Sequence, residues 1–174
     1  MQDFVHLHVH TQYSLLDGQA SVARLVDKAM KNGMKGIAVT DHGNMFGIKE
    51  FTNYVNKKNS GPKGEVKDLK KRIAGIEAGT IECEDKEAEI AACKAKIVEA
   101  ENKLFKPIIG CEMYVARRTM DLKEGKPDQS GYHLIVLAKN ETGYHNLIKL
   151  VSHAWTRGYY MRPRTDRSEL EIRS

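Results

Sequence analysis

The chain has 174 residues, of which 41% are hydrophobic and 29% are charged, so it can form one domain, or part of a larger one, with a real core. Its formal net charge of +5 would favour phosphate-rich partners, because a cationic surface attracts anions, but a solvated surface with a slight basic excess is the simpler interpretation. The N-terminus has no signal-peptide pattern, and no window approaches the roughly 20 apolar residues of a membrane span, so we expect a cytoplasmic protein without a membrane partner. Three separated cysteines, Cys83, Cys93 and Cys111, argue against a disulfide framework and predict free thiols.

Strands and helices alternate at the start of the chain. Residues 4–9 are β-branched and aromatic with period-two alternation, which predicts a strand. Ser21 as N-cap and Gly33 as stop signal enclose a predicted helix. Residues 36–40 predict a short buried strand, and a second helix is expected from about residue 45 to residue 58. This order is typical of a parallel sheet or barrel.

Residues 59–105 interrupt that alternation. Apolar residues three and four apart form two narrow seams, Val66 to Ile76 and Ile90 to Leu104, of the coiled-coil kind. Gly79 and the following threonine lie between them as a turn. We therefore predict an inserted antiparallel helical hairpin, as a solvated insertion without chemistry; a docking arm for a partner protein is the alternative.

The sheet is expected to resume at residues 107–116 and to continue at residues 133–138. Asn140 is a predicted N-cap for a third core helix. The residues of that helix expected to face inward are Tyr144, Leu147, Ile148, Val151 and Trp155.

Residues 157–174 are rich in arginine and show no clear period, which predicts a loop. Two tyrosines, Tyr159 and Tyr160, lie among the arginines Arg157, Arg162, Arg164 and Arg167. Aromatic and cationic groups together suit single-stranded nucleic acid. A solvated loop is the simpler interpretation.

Three histidines on the first predicted strand, His6, His8 and His10, carry the sharpest chemical signal. Alternate residues of a strand project to one face, roughly 7 Å apart, so neighbouring imidazoles can reach one metal ion or two adjacent ones. Clustering favours a ligand role for His8 and His10. For His6, which lies deeper in the strand, a structural role is equally consistent.

The other candidate ligands lie in later segments of the chain. Asp41 and His42 end the second predicted strand, where parallel α/β proteins collect functional groups, and Asp41 is either a ligand or a carboxylate that orients an imidazole. Asp17 is either a ligand or a turn former beside a glycine, and Glu112 is either a bridging carboxylate or an exposed strand residue. Four segments thus offer ligands: the histidine strand and those of His42, Glu112 and His133. With Asp17 they favour a multinuclear metal site.

The chain resembles the PHP (polymerase and histidinol phosphatase) domain in four runs: His8-Val9-His10-Thr11, Thr40-Asp41-His42-Gly43, Gly110-Cys111-Glu112 and Tyr132-His133-Leu134. Within that family it is closer to the N-terminal domain of bacterial DNA polymerase III alpha subunits. The runs that carry this closer similarity include Asp41-His42-Gly43-Asn44-Met45-Phe46-Gly47 and Gly143-Tyr144-His145-Asn146-Leu147.

The resemblance implies an α/β fold, the N-terminal part of a distorted (βα)7 PHP barrel with the hairpin inserted. Residues 1–174 would form a PHP domain that is incomplete at its C-terminus, with further ligands expected beyond it. Up to three divalent ions, Zn, Mn or Fe, are implied, and Mg for the parent polymerase. Asp41 and His42 are the candidate catalytic residues, and the implied metal ligands are His8, His10, Asp17, His42, Glu112 and His133.

The implied parent is a DNA-directed DNA polymerase, a nucleotidyltransferase of DNA replication whose partners are DNA and other replicase subunits. For the domain itself the resemblance implies a metal-dependent phosphoesterase, with 3′–5′ exonuclease activity or pyrophosphate hydrolysis as the reaction. Two alternatives stay open, a structural module stabilised by metal and a free-standing phosphatase of the histidinol-phosphate type. No substrate-binding residue is predicted.

Overall fold

A computed structural model describes residues 4–129 and 131–173 of the chain. Its helices and strands are, in chain order, α1 (Val22–Lys31), β1 (Gly36–Val39), α2 (Ile48–Lys58), α3 (Ser60–Glu77), α4 (Lys86–Asn102), β2 (Lys106–Ala116), α5 (Lys126–Gln129), β3 (Gly131–Leu137), α6 (Glu141–Thr156), β4 (Arg164–Thr165) and α7 (Arg167–Arg173). The chain divides into two compact units, one of residues 1–52 and 107–174 and one of residues 53–106.

The first unit is built on a mixed sheet in which β2 is the central strand. β1 lies beside β2, and a parallel bridge between His42 and Glu112 continues their pairing beyond the end of β1. β4 pairs with β2 in parallel through Tyr114, and β3 pairs with β2 in the antiparallel sense. The expected parallel sheet is therefore only partly parallel, because β3 runs against its neighbour.

Residues 4–9, called here the first segment, do not form the predicted regular strand, although their backbone pairs with that of β1 and the residue after it. Ala38 N donates to His6 O and Thr40 N donates to Val9 O, each at 2.9 Å. The pairing advances by two residues in β1 but by three in the first segment. One extra residue is accommodated, as in a β-bulge, which reverses the alternation of side chains between His6 and the histidines that follow.

Local capping confirms two of the predicted helices. The Ser21 side chain accepts a hydrogen bond from Arg24 N at the start of α1, and the Asn140 side chain accepts one from Gly143 N at the start of α6. These bonds satisfy backbone donors that have no partner inside the helix. α2 begins at Ile48, three residues later than expected.

One face of α6 completes the core against β2. The buried side chains of this cluster are Cys111, Met113, Leu147, Leu150 and Ala154. Two residues expected to face inward are instead exposed, Ile148 and Trp155. Cys93 and Cys111 are buried and Cys83 is partly exposed, and all three are free thiols.

The second unit contains two antiparallel helices, α3 and α4. Arg72 pairs with Glu89 at 2.8 Å, and Asp85 caps α4 by accepting a hydrogen bond from Ala88 N. Where the hairpin begins and ends, the Asn59 side chain exchanges two hydrogen bonds with the backbone of Phe105, at 2.8 and 2.9 Å. Over the described ranges, no helix is both long and apolar enough to cross a bilayer.

The prediction of a loop for residues 157–174 is wrong, because this segment contains β4 and α7. Arg164 explains much of the order. Its guanidinium is buried and donates to the carbonyl oxygens of Gly158, Asp128, Met120 and Leu122 at 2.9–3.1 Å. A cation at this position was expected to be solvated, but four backbone acceptors replace water.

Candidate metal centre

Six side chains, the buried Glu112 and five around it, come together at one end of the sheet. They are named here the donor cluster and comprise His8, His10, Asp17, His42, Glu112 and His133. Glu112 Oε2 lies 2.7 Å from His8 Nε2 and 3.0 Å from His10 Nε2. Glu112 Oε1 contacts His133 Nδ1 and lies 3.5 Å from His42 Nδ1. One carboxylate therefore faces all four imidazoles.

The pairing of β2 explains why these residues meet. Glu112 is opposite His42 in the parallel bridge, and Gly43 N donates to Glu112 O at 2.9 Å. On the other edge of β2, His133 is the register partner of Tyr114. Glu112 and Tyr114 share a face of the strand, so His133 is a diagonal neighbour of Glu112 and within side-chain reach.

Asp17 reaches the cluster from the loop between the first segment and α1. Its Oδ2 lies 2.6 Å from His42 Nε2. Gly18 allows this loop to close tightly, since a Cβ there would lie 1.9 Å from Thr11 O. The carboxylate and the tight turn thus occur together, so the two interpretations of Asp17 are compatible.

Asp41 is buried behind the cluster and is not one of its donors. Its Oδ1 accepts hydrogen bonds from Thr11 N at 2.6 Å and from Ser14 Oγ at 2.7 Å, and its Oδ2 accepts one from Thr11 Oγ1 at 2.8 Å. Ser14 Oγ also lies 3.0 Å from His10 Nδ1. Asp41 therefore acts on His10 through Ser14.

Ser14 is a positioning residue that sequence reasoning missed. Besides its contacts with Asp41 and His10, its hydroxyl accepts a hydrogen bond from His42 N at 3.1 Å. Its spacing of four residues after His10, inside the loop that leads to Asp17, is the signal that could have identified it.

The ionisation of the cluster suits metal binding. Burial, together with the neighbouring His42, lowers the pKa of His10. Burial alone would raise the pKa of Glu112, but hydrogen bonds and charges from His8, His42 and His133 outweigh it, and the pKa falls below its usual value. The hydrogen bond with His42 lowers the pKa of Asp17. Neutral imidazole and ionised carboxylate are the forms that bind metal ions.

The donor atoms form three overlapping groups that could hold a metal ion, with all atoms of a group within 4.8 Å of one another. The groups are His8–His10–Glu112, His10–Asp17–His42 and His42–Glu112–His133. The spacings of 2.7–3.0 Å in the first group suit ligands of one ion, since donors about 2.0–2.2 Å from a metal lie roughly 3 Å apart. His42 Nδ1 is buried without a hydrogen bond from any described residue, which leaves a lone pair or proton aimed into the cluster.

Three other histidines lie outside these groups. His6 belongs to none of the groups, and its ring packs edge-on against Phe4 with centroids 4.8 Å apart. On α6, His153 Nδ1 lies 3.1 Å from Glu169 Oε2, and His145 is exposed. A structural role therefore suits all three.

Comparison with known proteins finds relatives that match nearly the whole chain. The family model described as the PHP domain matches residues 6–174. The DNA polymerase III subunit alpha of Borreliella burgdorferi is 41% identical over 171 residues, which are 97% of this chain and 11% of that protein. The protein of the same name from Treponema pallidum is 40% identical over 164 residues, with 94% and 10% covered. That of Thermus aquaticus is 37% identical over 172 residues, with 96% and 10% covered. The chain spans about a tenth of the length of these relatives.

Proposed function

The chain belongs to the PHP domain family, and on this premise we propose that it is the metal-binding, phosphoesterase-type domain of a bacterial DNA polymerase III alpha subunit. The observation that carries the proposal is the convergence of four imidazoles from three segments on the Glu112 carboxylate. The mixed sheet would then be part of a distorted (βα)7 barrel, and residues 59–105 an inserted hairpin. That hairpin contributes no residue to the donor groups found among the described residues.

We propose His8, His10, Asp17, His42, Glu112 and His133 as the ligands of up to three divalent ions. Mixed imidazole and carboxylate sets suit Zn, Mn and Fe. The buried Nδ1 of His42, which lacks a hydrogen-bond partner among the described residues, supports this assignment, because such an atom is costly without a ligand.

When bound at such a site, divalent ions supply Lewis-acid chemistry, lowering the pKa of a water molecule and neutralising charge on the leaving oxygen. The chain's own residues would hold that chemistry in place. Glu112 orients four imidazoles at once, and Asp17 fixes the ring of His42. Asp41, a candidate catalytic residue by sequence, would work as a positioning residue that fixes His10 through Ser14.

The reaction that fits best is hydrolysis of a phosphodiester at a DNA 3′ end, the 3′–5′ removal of nucleotides during replication, or hydrolysis of pyrophosphate. The relatives are named as polymerase subunits, and a polymerase benefits from either reaction. The parent would then be a Mg-dependent nucleotidyltransferase with DNA and other replicase subunits as partners, working in the cytoplasm.

A structural role for the metal is the second candidate. The cluster joins residues from the first segment, the end of β1, β2 and β3, so ions there would tie four segments together. A free-standing phosphatase is less consistent with relatives about ten times as long as this chain.

The proposal is tested by digestion of a labelled primer in the presence of Zn, Mn or Fe. The enzyme is the full-length gene product with its polymerase activity inactivated. His10→Ala should reduce 3′–5′ digestion at least about 100-fold. His145→Ala, an exposed histidine on α6, is the matched control and should retain full digestion. No digestion with any metal, despite bound metal, would leave the structural role.

A further inference from the structure

A cleft of about 480 Å³ opens directly beside the donor cluster. His42 belongs to both, since it contacts Asp17 in the cluster and lines the cleft. The other lining residues include Phe46, Tyr114, Trp155, Tyr159 and Arg162. None of them is acidic, and the volume is that of a small-molecule site.

Aromatic faces dominate the walls of this cleft and are open to solvent. Phe46 is 68% exposed, Tyr159 is 48% exposed and Trp155 is 44% exposed. The rings of Trp155 and Tyr159 stack with centroids 5.6 Å apart and an interplanar angle of 19°. Exposed aromatic side chains grouped beside polar residues are typical of a ligand-binding groove.

The stacked rings of Trp155 and Tyr159, called here the aromatic platform, are held in place before any ligand binds. Trp155 Nε1 donates to Gly43 O at 2.8 Å, which ties the indole to the loop that carries His42. This bond explains why Trp155 projects from α6 into the cleft rather than into the core.

Arg162 adds one positive charge to the wall, with its guanidinium 4.9 Å from the ring centroid of Tyr114. The other arginines of this segment have internal partners. Arg164 binds backbone carbonyls, Arg157 pairs with Glu169 at 3.3 Å and Arg167 pairs with Glu171 at 2.7 Å. Among the described residues that line the cleft, Arg162 is therefore the one arginine or lysine, and the Tyr114 ring beneath its guanidinium stacks with the ring of His42 at 6.0 Å.

We propose that this cleft binds the terminal nucleotide of a single-stranded DNA end, with its unpaired base stacked on the Trp155–Tyr159 platform and in contact with Phe46, and with its phosphate near Arg162. Base stacking on aromatic side chains tolerates any base, which suits an enzyme that removes whichever nucleotide is terminal. A sugar phosphate without a base would leave the aromatic walls unused. The inference rests on the proposed function, because it names the substrate class of the same cluster.

Trp155 is the chain's single tryptophan and reports on stacking directly. A short oligothymidylate with a free 3′-hydroxyl should quench its fluorescence in the presence of a chelator, which prevents hydrolysis. An abasic oligomer of the same length and charge should quench it little. Equal quenching by both, or none by either, would overturn the inference.

Variants separate base from phosphate contacts. Phe46→Ala and Tyr159→Ala should each weaken binding of the oligothymidylate by about 5- to 100-fold without changing that of the abasic oligomer. Arg162→Gln should weaken both. Tyr132→Ala, an exposed tyrosine on the opposite face of β3 from His133, is the matched control and should change neither.

The same variants in the full-length gene product separate this inference from the proposed function. A higher KM for primer digestion with kcat kept supports the cleft as the substrate site. Base-dependent quenching without hydrolysis under any metal would support the cleft and reject the phosphoesterase. Hydrolysis that Phe46→Ala and Tyr159→Ala leave unchanged would reject the cleft and keep the phosphoesterase.

Discussion

The Asp41 carboxylate accepts a hydrogen bond from the Ser14 hydroxyl at 2.7 Å, and the same hydroxyl lies 3.0 Å from His10 Nδ1. A buried acid thus controls the orientation of a partly buried imidazole. Outer carboxylates of this kind fix the tautomer and ring position of a metal-binding histidine.

Ser14→Ala should therefore reduce metal affinity by about 10- to 100-fold while every donor remains present. The loss follows because His10 Nδ1 and the backbone N of His42 lose an oxygen partner. Metal titration by calorimetry measures the effect, and the exposed Ser152→Ala on α6 is the control. Unchanged affinity in Ser14→Ala would contradict the positioning role.

Glu112→Gln should remove more bound metal than Asp17→Asn. Glu112 contributes to two of the three donor groups, whereas Asp17 contributes to one. The amide keeps the shape of the carboxylate but removes its charge and half of its acceptor capacity. Metal content by mass spectrometry of the purified variants checks the order, and the reverse order would show that the groups do not share Glu112.

Arg164→Met should destabilise the protein by about 2–4 kcal/mol, because it leaves buried carbonyl oxygens without their charged donor. Urea unfolding measures the free energy. Arg167→Met, whose exposed guanidinium pairs with Glu171, should change it by under about 1 kcal/mol. Equal effects of the two substitutions would show that the carbonyl contacts of Arg164 contribute little.

The ion pair of Asp128 predicts an acid-dependent loss of stability. Hydrogen bonds from Arg118 and from the backbone N of Glu124 lower the pKa of Asp128. Its stabilising contribution is complete above the unfolded-state pKa of about 3.9 and is lost as pH falls through the lower folded-state pKa. Asp128→Asn should therefore show a smaller fall in unfolding free energy between about pH 5 and pH 2 than the unaltered protein.

Glu124→Gln provides the control for that measurement, because Glu124 contacts the same arginine from an exposed position. It should follow the pH dependence of the unaltered protein. A steeper fall in Asp128→Asn than in either would reverse the sign of the argument.

Local signals account for the parts of the fold that sequence predicts well. Ser21 and Asn140 mark helix starts because each side chain bonds a backbone amide three residues away. The donors of the cluster were also identifiable, since histidines and acidic residues recur on or beside the predicted strands. Their mutual distances were not, because those depend on the pairing of β2 with β1 and β3.

Features that depend on distant partners escaped prediction. Arg164 looks like a surface cation until the carbonyls of residues 120–128 surround it. Trp155 looks like a core residue until its indole meets a carbonyl 112 positions earlier. The extra residue between His6 and Val9 appears only when both backbones are paired, so the histidine repeat by itself could not show that His6 leaves the set.

The two oxygens of the Glu112 carboxylate belong to two different donor groups, and this sharing has a thermodynamic consequence. Its Oε2 faces His8 and His10, and its Oε1 faces His42 and His133. An ion in either group would therefore draw on the same negative charge. If ions bind both groups, as proposed, their occupancies are linked, and each ion changes the affinity for the other by the same factor. Metal titrations should depart from independent binding, and Glu112→Gln should abolish that departure along with the affinity.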